Sequence, residues 1–211
     1  SDYTQASTAS LFTGRYPLAH GYINSDYALD PSNQTLAEVL AGSGYATGAF
    51  IANGLAGRKY AMDQGFQTHF EKNRALAGEL VDRAVEFVRV ERSQPFFAYI
   101  HFLDVHDPYR TPAPDRDRYA PPGGFAQDMQ DTVLLEQRHA AAWWGAAQSW
   151  WDSDGERRAT EQYYAEYGDV YDGAIRYWDG ELGRLMQALA AAGQAENTIV
   201  AVVADHGEQF L

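Results

Sequence analysis

The chain contains no cysteine among its 211 residues, and this absence removes several classes of chemistry. Disulfide cross-links, thiolate zinc sites and a cysteine nucleophile all require the missing side chain. Covalent catalysis, if the chain performs any, must use another nucleophile such as a hydroxyl group.

Basic residues are also scarce, with 16 lysines and arginines against 29 acidic residues and a formal net charge of −13. Nonspecific binding to nucleic acid requires an excess of positive charge to meet the phosphate backbone. We therefore expect no nucleic-acid partner. The acidic balance is better suited to a metal-binding protein.

Long apolar runs are absent too, since no stretch approaches the roughly 18 to 20 residues of a membrane-spanning helix. We expect no membrane span in this section and one domain with a buried core. The chain begins without methionine and without a signal segment, so we expect an internal piece of a longer protein. The sequence indicates neither its compartment nor its oligomeric state.

The first half of the chain alternates between helix and strand patterns. Thr35 and Glu38 predict a capping box at the start of a short helix that ends near Gly42. The stretch YATGAFIA predicts a strand, residues 75–92 predict an amphipathic helix, and FFAYIHFL predicts a buried strand.

The second half begins with a break in this alternation. Residues from about 110 to 168 are rich in proline, glycine and tryptophan. This composition predicts a variable insertion in one domain that spans residues 1–211. A helix is predicted at 169–192 and a buried parallel strand at 199–204. The order of elements predicts an α/β fold, a sheet with helices on its faces. Ligands of such sheets bind at the carboxyl ends of the strands.

The predicted last strand ends directly in Asp205, His206, Gly207 and Glu208. A carboxylate and an imidazole at a strand end are a natural ligand pair for Zn²⁺ or Mn²⁺, and the carboxylate alone suits a harder ion. The alternative is an aspartate that caps a turn beside a surface histidine. This motif alone leaves both interpretations open.

The stretch HFLDVHDPY lies at the end of another predicted strand. His101 falls inside that strand, where a histidine is more often a hydrogen-bonded core residue than a ligand. His106 lies beyond it and is better placed to meet a substrate. Asp104 and Asp107 either ligate a metal or cap the turn, and turn caps are commoner. Three further histidines have no recognisable partner spacing: His20, His69 and His139.

The opening stretch SDYTQASTAS is crowded with hydroxyl groups ahead of a predicted helix. A hydroxyl at a helix start becomes a nucleophile when a metal lowers its pKa and the helix N-terminus receives a bound anion. The commoner alternative is that Thr4, Ser7 or Thr8 caps the helix.

These segments together resemble the sulfatase-like branch of the alkaline phosphatase superfamily. The family signature reads Cys or Ser, any residue, Pro, Ser, Arg, four residues and Thr-Gly, often followed by Arg-Tyr-Pro. LFTGRYP matches its end, which places Thr4 at the nucleophile position and Ser7 on the motif serine. GYATGAFIAN, MDQGF, PFFAYIHFLDVHDPY, YDGAIRYWDGELGRLMQAL and NTIVAVVADHGE follow in family order.

The departures from the signature bear on the substrate. Ala6 replaces the motif proline, and Thr8 replaces an arginine that helps to bind the nucleophile and the sulfate. Sulfatases proper convert cysteine or serine to formylglycine, an aldehyde that threonine cannot form. Family members with threonine at this position resemble phosphodiesterases, phosphonate hydrolases and phosphoethanolamine transferases, so the resemblance favours phosphorus over sulfur as the target.

The resemblance implies a mostly parallel, alkaline phosphatase-like sheet with helices on both faces, here as an incomplete domain. It further implies a divalent metal ion held by Thr4, Asp205 and His206, with Zn or Mn favoured and Ca or Mg possible. His106 would hydrogen-bond the transferred group or the leaving oxygen. Other metal carboxylates of the family precede the nucleophile and lie outside this chain, so we expect the isolated section to be inactive.

The implied function is a metal-dependent hydrolase that cleaves small anionic phosphate, phosphonate or sulfate esters through a threonine nucleophile. Two alternatives are a phosphoethanolamine-type transferase and a degenerate binding homologue, the latter because of Thr8. Carbohydrate or lipid recognition on a tryptophan-rich helix is a further alternative to a packed cap helix. Its candidate residues are Trp143, Trp144, Trp150 and Trp151.

Overall fold

The computed structural model describes residues 3–24, 26–90, 93–106, 109–119 and 154–207. The tryptophan-rich stretch, Asp107 and His139 lie outside these ranges. The chain divides into two compact units. The first contains the described residues up to Leu103 and from Glu181 to Gly207, and the second those from Asp104 to Gly180.

The described residues form five α-helices and three strands. The helices are α1 (Thr4–Thr13), α2 (Pro17–His20), α3 (Leu36–Gly42), α4 (Ala77–Arg89) and α5 (Asp154–Ala191). The strands are β1 (Ala46–Ile51), β2 (Thr68–Glu71) and β3 (Phe96–His101). Short 3-10 turns occupy Gly54–Ala56, Arg58–Tyr60, Arg116–Arg118 and Ala195–Asn197.

The three strands form a parallel sheet in the order β2-β1-β3. All six residues of β1 are buried, as expected for a central strand with neighbours on both edges. Gly48 is paired with Thr68 of β2 and Ala98 of β3, so the three carboxyl ends lie at one edge. The predicted parallel α/β sheet is confirmed.

Helices cover both faces of this sheet. On one face, Phe50 of β1 packs in a cluster with Leu80 and Val81 of α4 and Leu185 of α5. On the other face, Phe12 of α1 packs with aromatic rings that include Tyr99 of β3, whose centroid is 4.7 Å away. The alternation of side chains along β3 supplies both clusters.

The predicted capping box forms at the start of α3. The hydroxyl of Thr35 accepts a hydrogen bond from the backbone N–H of Glu38, and the Glu38 carboxylate accepts one from the N–H of Thr35. The Thr35 hydroxyl also lies 3.0 Å from the carbonyl oxygen of Gln64. This contact fixes α3 beside the loop that leads into β2.

Two elements in the second half of the chain differ from the sequence prediction. The strand predicted at 199–204 is wrong, because this segment forms no strand and exposes Ile199 (97%) and Val203 (67%). Its backbone has no neighbouring strand among the described residues that would supply ladder hydrogen bonds. Helix α5 begins at Asp154, well before the predicted start at Asp169.

The second unit has a small core of its own, formed by Tyr109, Val170 and Ala174. Helix α5 lies close to the loop after β3 there, since a Cβ atom on Gly173 would approach the carbonyl oxygen of Asp115 to 2.7 Å. Because any larger residue at 173 would clash with that carbonyl oxygen, glycine is required there. The side chain of Arg176 also lies 3.1 Å from an Asp115 carboxylate oxygen.

Among the residues that the structure describes, no helix combines the length and apolar character needed to cross a lipid bilayer.

The side chain of Arg184 connects α5 to α4, and we expect this contact to contribute measurably to the stability of the fold. Its guanidinium binds a carboxylate oxygen of Asp82 at 2.5 Å and the carbonyl of Gly78 at 2.9 Å. We expect Arg184→Ala to lower the free energy of unfolding of the full-length protein by about 1 kcal/mol, since these groups are partly exposed. Arg184→Lys keeps the charge but loses the planar fork. Urea unfolding should place it between the wild type and the alanine variant.

Candidate active site

The hydroxyl-rich opening stretch does not cap its helix. Tyr3 is the N-cap residue of α1, with extended backbone angles and no side-chain cap hydrogen bond. Thr4 is the first helical residue and is 6% exposed. The alternative in which Thr4, Ser7 or Thr8 caps α1 is therefore wrong. The Thr4 hydroxyl faces the segment around His206 instead.

The other end of α1 explains the Thr-Gly-Arg-Tyr-Pro stretch. The hydroxyl of Thr13 donates to the carbonyl of Ala9 at 2.7 Å, and Gly14 adopts the left-handed conformation that ends the helix. Arg15 then donates to the side-chain oxygen of Asn33 at 3.0 Å. This local signature therefore sets the length and direction of the helix that carries Thr4.

His20, which the sequence left unassigned, has a structural role. Its Nδ1 accepts a hydrogen bond from the backbone N–H of Tyr22, so Nε2 carries the ring proton and donates to the Ser10 hydroxyl at 3.1 Å. Burial lowers the pKa of this histidine, which keeps the ring neutral, and the backbone of Ala6 only partly opposes that effect. The ring thus holds α2 against α1.

The imidazole of His206 points towards Thr4 in a defined tautomer. Its Nδ1 lies 2.9 Å from the carbonyl oxygen of Gly207, which only accepts hydrogen bonds, so Nδ1 carries the proton. In the neutral ring, Nε2 then presents a lone pair. The hydroxyl oxygen of Thr4 lies 3.4 Å from this nitrogen.

Asp205 is held from two sides. Its Oδ1 accepts the backbone N–H of His206 at 3.1 Å, and its Oδ2 lies 3.8 Å from Nε2 of both His206 and His101. Burial by itself would raise the pKa of this carboxyl group. The neighbouring rings of His101 and His206 and the Thr4 hydroxyl outweigh burial and lower the pKa to about 2. Asp205 is therefore ionised at neutral pH.

His101 belongs to this site and is not the hydrogen-bonded core histidine that its strand position predicted. It is 8% exposed, its Nε2 faces Asp205, and its buried Nδ1 has no hydrogen-bond partner among the described residues. Tyr99 lies two residues earlier on β3. Burial raises the pKa of Tyr99, the Thr8 hydroxyl opposes this shift, and the charge of Asp205 raises the pKa further. Sequence reasoning weighed His101 only as the less common ligand alternative, and it did not single out Tyr99.

The donor set fits part of a metal site. A histidine that binds metal commonly donates its second ring nitrogen to a backbone carbonyl, as His206 does here. Its Nε2 lies 3.4 Å from the hydroxyl oxygen of Thr4 and 3.8 Å from Oδ2 of Asp205. Within the described ranges, however, no three histidine or acidic side chains are placed to hold a metal ion together.

The remaining predicted site residues lie in the second unit. His106 is exposed and Asp104 is buried, at 5% exposure. The structure therefore brings together Thr4, Asp205 and His206, while the predicted role of His106 stays a prediction.

The model of the family named Sulfatase matches residues 1–210 of this chain.

Solved structures with a similar fold include two phosphonate monoester hydrolases. The enzyme from Agrobacterium radiobacter has a TM-score of 0.61 and 16% identity, covering 92% of this chain and 51% of its own. The enzyme from Silicibacter pomeroyi has a TM-score of 0.57 and 16% identity, covering 96% and 53%. A protein solved with its substrate D-glucosamine-2-N,6-O-disulfate has a TM-score of 0.58 and 14% identity, covering 93% and 54%. The chain thus spans about half the length of these structures.

Proposed function

This chain belongs to the Sulfatase family, and we propose that the full-length protein is a metal-dependent hydrolase of small anionic esters, with Thr4 as its nucleophile. The observation that carries this proposal is the approach of the Thr4 hydroxyl to Nε2 of His206, 3.4 Å away, beside the ionised carboxylate of Asp205. We further propose that residues 1–211 are an internal section of one catalytic domain.

The metal would be held by Thr4, Asp205 and His206. The Nε2 lone pair of His206 and Oδ2 of Asp205 face each other at 3.8 Å. Two acceptors at this separation are stabilised by a cation that both can bind, and nitrogen and oxygen ligands suit Zn²⁺ or Mn²⁺. When bound, such an ion lowers the pKa of a coordinated hydroxyl and neutralises charge on the ester oxygens. We expect the other ligands to come from the full-length protein outside this chain.

The proposed reaction has two displacements. In the first, Oγ1 of Thr4 forms a bond to phosphorus, its proton passes to solvent, and the bond from phosphorus to the leaving oxygen breaks. The leaving oxygen takes up a proton, and we assign His106 the hydrogen bond to that oxygen or to the transferred group. In the second, water attacks phosphorus and releases the Thr4 oxygen, which regains its proton.

The position of Thr4 at the first turn of α1 supports the binding of an anion. Backbone N–H groups of the first turn of a helix have no partners within the helix, and the helix dipole favours negative charge there. The N-cap residue Tyr3 has no side-chain hydrogen bond that would compete for these groups.

Phosphorus is the proposed target because threonine cannot be converted to the aldehyde that sulfatases use. Two of the structures with this fold are phosphonate monoester hydrolases, and a third holds a sulfated sugar as substrate. The fold therefore accommodates both elements, so the choice depends on Thr4. Phosphate and phosphonate esters are the first substrates to test.

A substrate panel tests the proposed function. We expect the full-length protein, loaded with Mn²⁺ or Zn²⁺, to show a higher kcat/KM for an aryl phosphonate monoester or bis-aryl phosphodiester than for an aryl sulfate. Exhaustive chelation should abolish turnover, and returning the metal should restore it. Chromogenic esters of one common phenol keep the leaving group constant across the panel.

Three results would contradict the proposal. A preference for the aryl sulfate would argue against phosphorus. Full activity after chelation would exclude metal dependence. A correctly folded, metal-loaded protein that cleaves none of these esters would instead support the degenerate homologue.

A further inference from the structure

His101 occupies the carboxyl end of β3, at the sheet edge where Asp205 lies. The strand fixes its position, because His101 is paired with Ile51 of β1 and its carbonyl accepts the N–H of Ala52 at 3.0 Å. The ring is 8% exposed, and its Nε2 lies 3.8 Å from Oδ2 of Asp205. The sheet therefore delivers one ring nitrogen to the carboxylate.

The surroundings of this ring do not suit a purely structural histidine. A buried histidine that serves packing commonly satisfies both nitrogens with hydrogen bonds, because an unsatisfied buried polar atom costs about 1–3 kcal/mol. Here Nδ1 is buried without a hydrogen-bond partner among the described residues. The other ring nitrogen, Nε2, faces Oδ2 of Asp205.

Each carboxylate oxygen of Asp205 faces a different partner. Oδ1 accepts the backbone N–H of His206 at 3.1 Å, which fixes one end of the carboxylate. Oδ2 faces the ring of His101 on β3 at 3.8 Å, an ion-pair distance that is longer than a hydrogen bond. Oδ1 keeps a lone pair after its one hydrogen bond and both lone pairs of Oδ2 remain available, so a carboxylate held in this way still has capacity to bind a cation.

We propose that His101 is a positioning residue that orients the carboxylate of Asp205 for metal binding. This inference rests on the proposed function, in which Asp205 ligates the metal. Partners that hold a metal ligand in place fix its orientation and strengthen the site, and losing one typically weakens metal affinity about 10- to 100-fold. His101 does not touch the substrate in this role.

Two substitutions separate positioning from direct ligation. His101→Phe keeps the ring volume and removes the donor. His101→Gln places an amide N–H near the position of Nε2, so it still presents a donor to Asp205, but its amide is a poor ligand for Zn²⁺. A positioning histidine is rescued by glutamine, whereas a ligating histidine is not.

The control is His69→Phe. His69 is a histidine on the neighbouring strand β2, and its Nε2 is also buried without a hydrogen-bond partner among the described residues. It shares the sheet with His101, so it reports any general effect of replacing a strand histidine by phenylalanine.

The measurement is the Kd of the full-length apoprotein for Zn²⁺, obtained by competition with a chromophoric chelator. We expect His101→Phe to raise the Kd about 10- to 100-fold, with His101→Gln near the wild type and His69→Phe unchanged. If His101→Phe does not fold, His101→Asn replaces it, since its shorter amide does not reach Oδ2.

Several outcomes would overturn the inference. A wild-type Kd in His101→Phe removes the positioning role. Equal weakening in the phenylalanine and glutamine variants makes His101 a ligand. Equal weakening in His69→Phe makes the effect one of sheet stability. An Asp205→Asn variant that binds Zn²⁺ like the wild type refutes the proposed metal site itself, which distinguishes that failure from a failure of His101 alone.

Discussion

We expect Thr4→Val to lower kcat of the full-length protein by about 10³-fold or more, because removing a catalytic nucleophile has effects of this size. Valine keeps the branched shape of the side chain, which is 6% exposed, and removes the hydroxyl that lies 3.4 Å from Nε2 of His206. The loss should appear in kcat, with folding of the variant checked by its unfolding midpoint.

Thr4→Ser and Thr13→Val serve as the comparison. Serine keeps a hydroxyl at the start of α1 and should retain most of the activity. Thr13 is at the other end of the same helix, where its hydroxyl donates to the carbonyl of Ala9 at 2.7 Å and accepts the backbone N–H of Arg15 at 3.3 Å. Thr13→Val should therefore change stability slightly and kcat little.

A covalent intermediate gives a second test of the nucleophile. Rapid quenching of the wild type during turnover of a phosphonate ester should yield a peptide containing Thr4 with the added mass of the phosphonyl group. Full activity in Thr4→Val, or a label on a different residue, would assign the nucleophile elsewhere.

The sequence predicted those parts of the fold whose signals are local. The capping box at Thr35 and the helical stripe on α4 need only neighbours in the sequence, and both were confirmed. Strand β1 was predicted correctly because a strand that is buried on both faces is apolar along its whole length. Strand β2 was missed, since its four residues are exposed or half-buried and show no such pattern.

The error at 199–204 shows the limit of hydrophobic patterns. Apolar residues in a run indicate a preference for burial, but a strand also needs a partner for its backbone. The described residues supply no such partner, and Val202 and Val203 remain 61% and 67% exposed.

The site was only partly predictable for a related reason. Asp205 and His206 are adjacent in the sequence, so their pairing could be recognised from a motif. The approach of His101 to Asp205 joins residues that are distant in the sequence and depends on the tertiary fold. No local pattern distinguishes a strand histidine that faces a carboxylate from one that faces the core.

The largest stability effect is expected at Gly65, in the loop between β1 and β2. Gly65 has a φ of +84°, and a Cβ atom there would lie 2.2 Å from the backbone nitrogen of Glu38 and 2.5 Å from the carbonyl carbon of Ala37. These atoms belong to the first turn of α3, where the backbone cannot move aside as a flexible side chain could. Glycine is needed at this position both for its conformation and for its small size.

We expect Gly65→Ala to lower the free energy of unfolding by about 2–5 kcal/mol, of which about 1–2 arises from the left-handed conformation and about 1–3 from the steric clash. Moving the loop to relieve the clash would also strain two hydrogen bonds. These join the Thr47 hydroxyl to the Gly65 carbonyl at 2.6 Å and the Thr35 hydroxyl to the Gln64 carbonyl at 3.0 Å.

Gly44→Ala is the matched control, because Gly44 has a φ of +87° but no atom within 4 Å of its would-be Cβ. It should show the conformational cost alone, about 1–2 kcal/mol. Urea unfolding of both variants of the full-length protein therefore isolates the clash as the difference between them. Equal destabilisation of the two variants would show that the loop at Gly65 does not pack closely on α3.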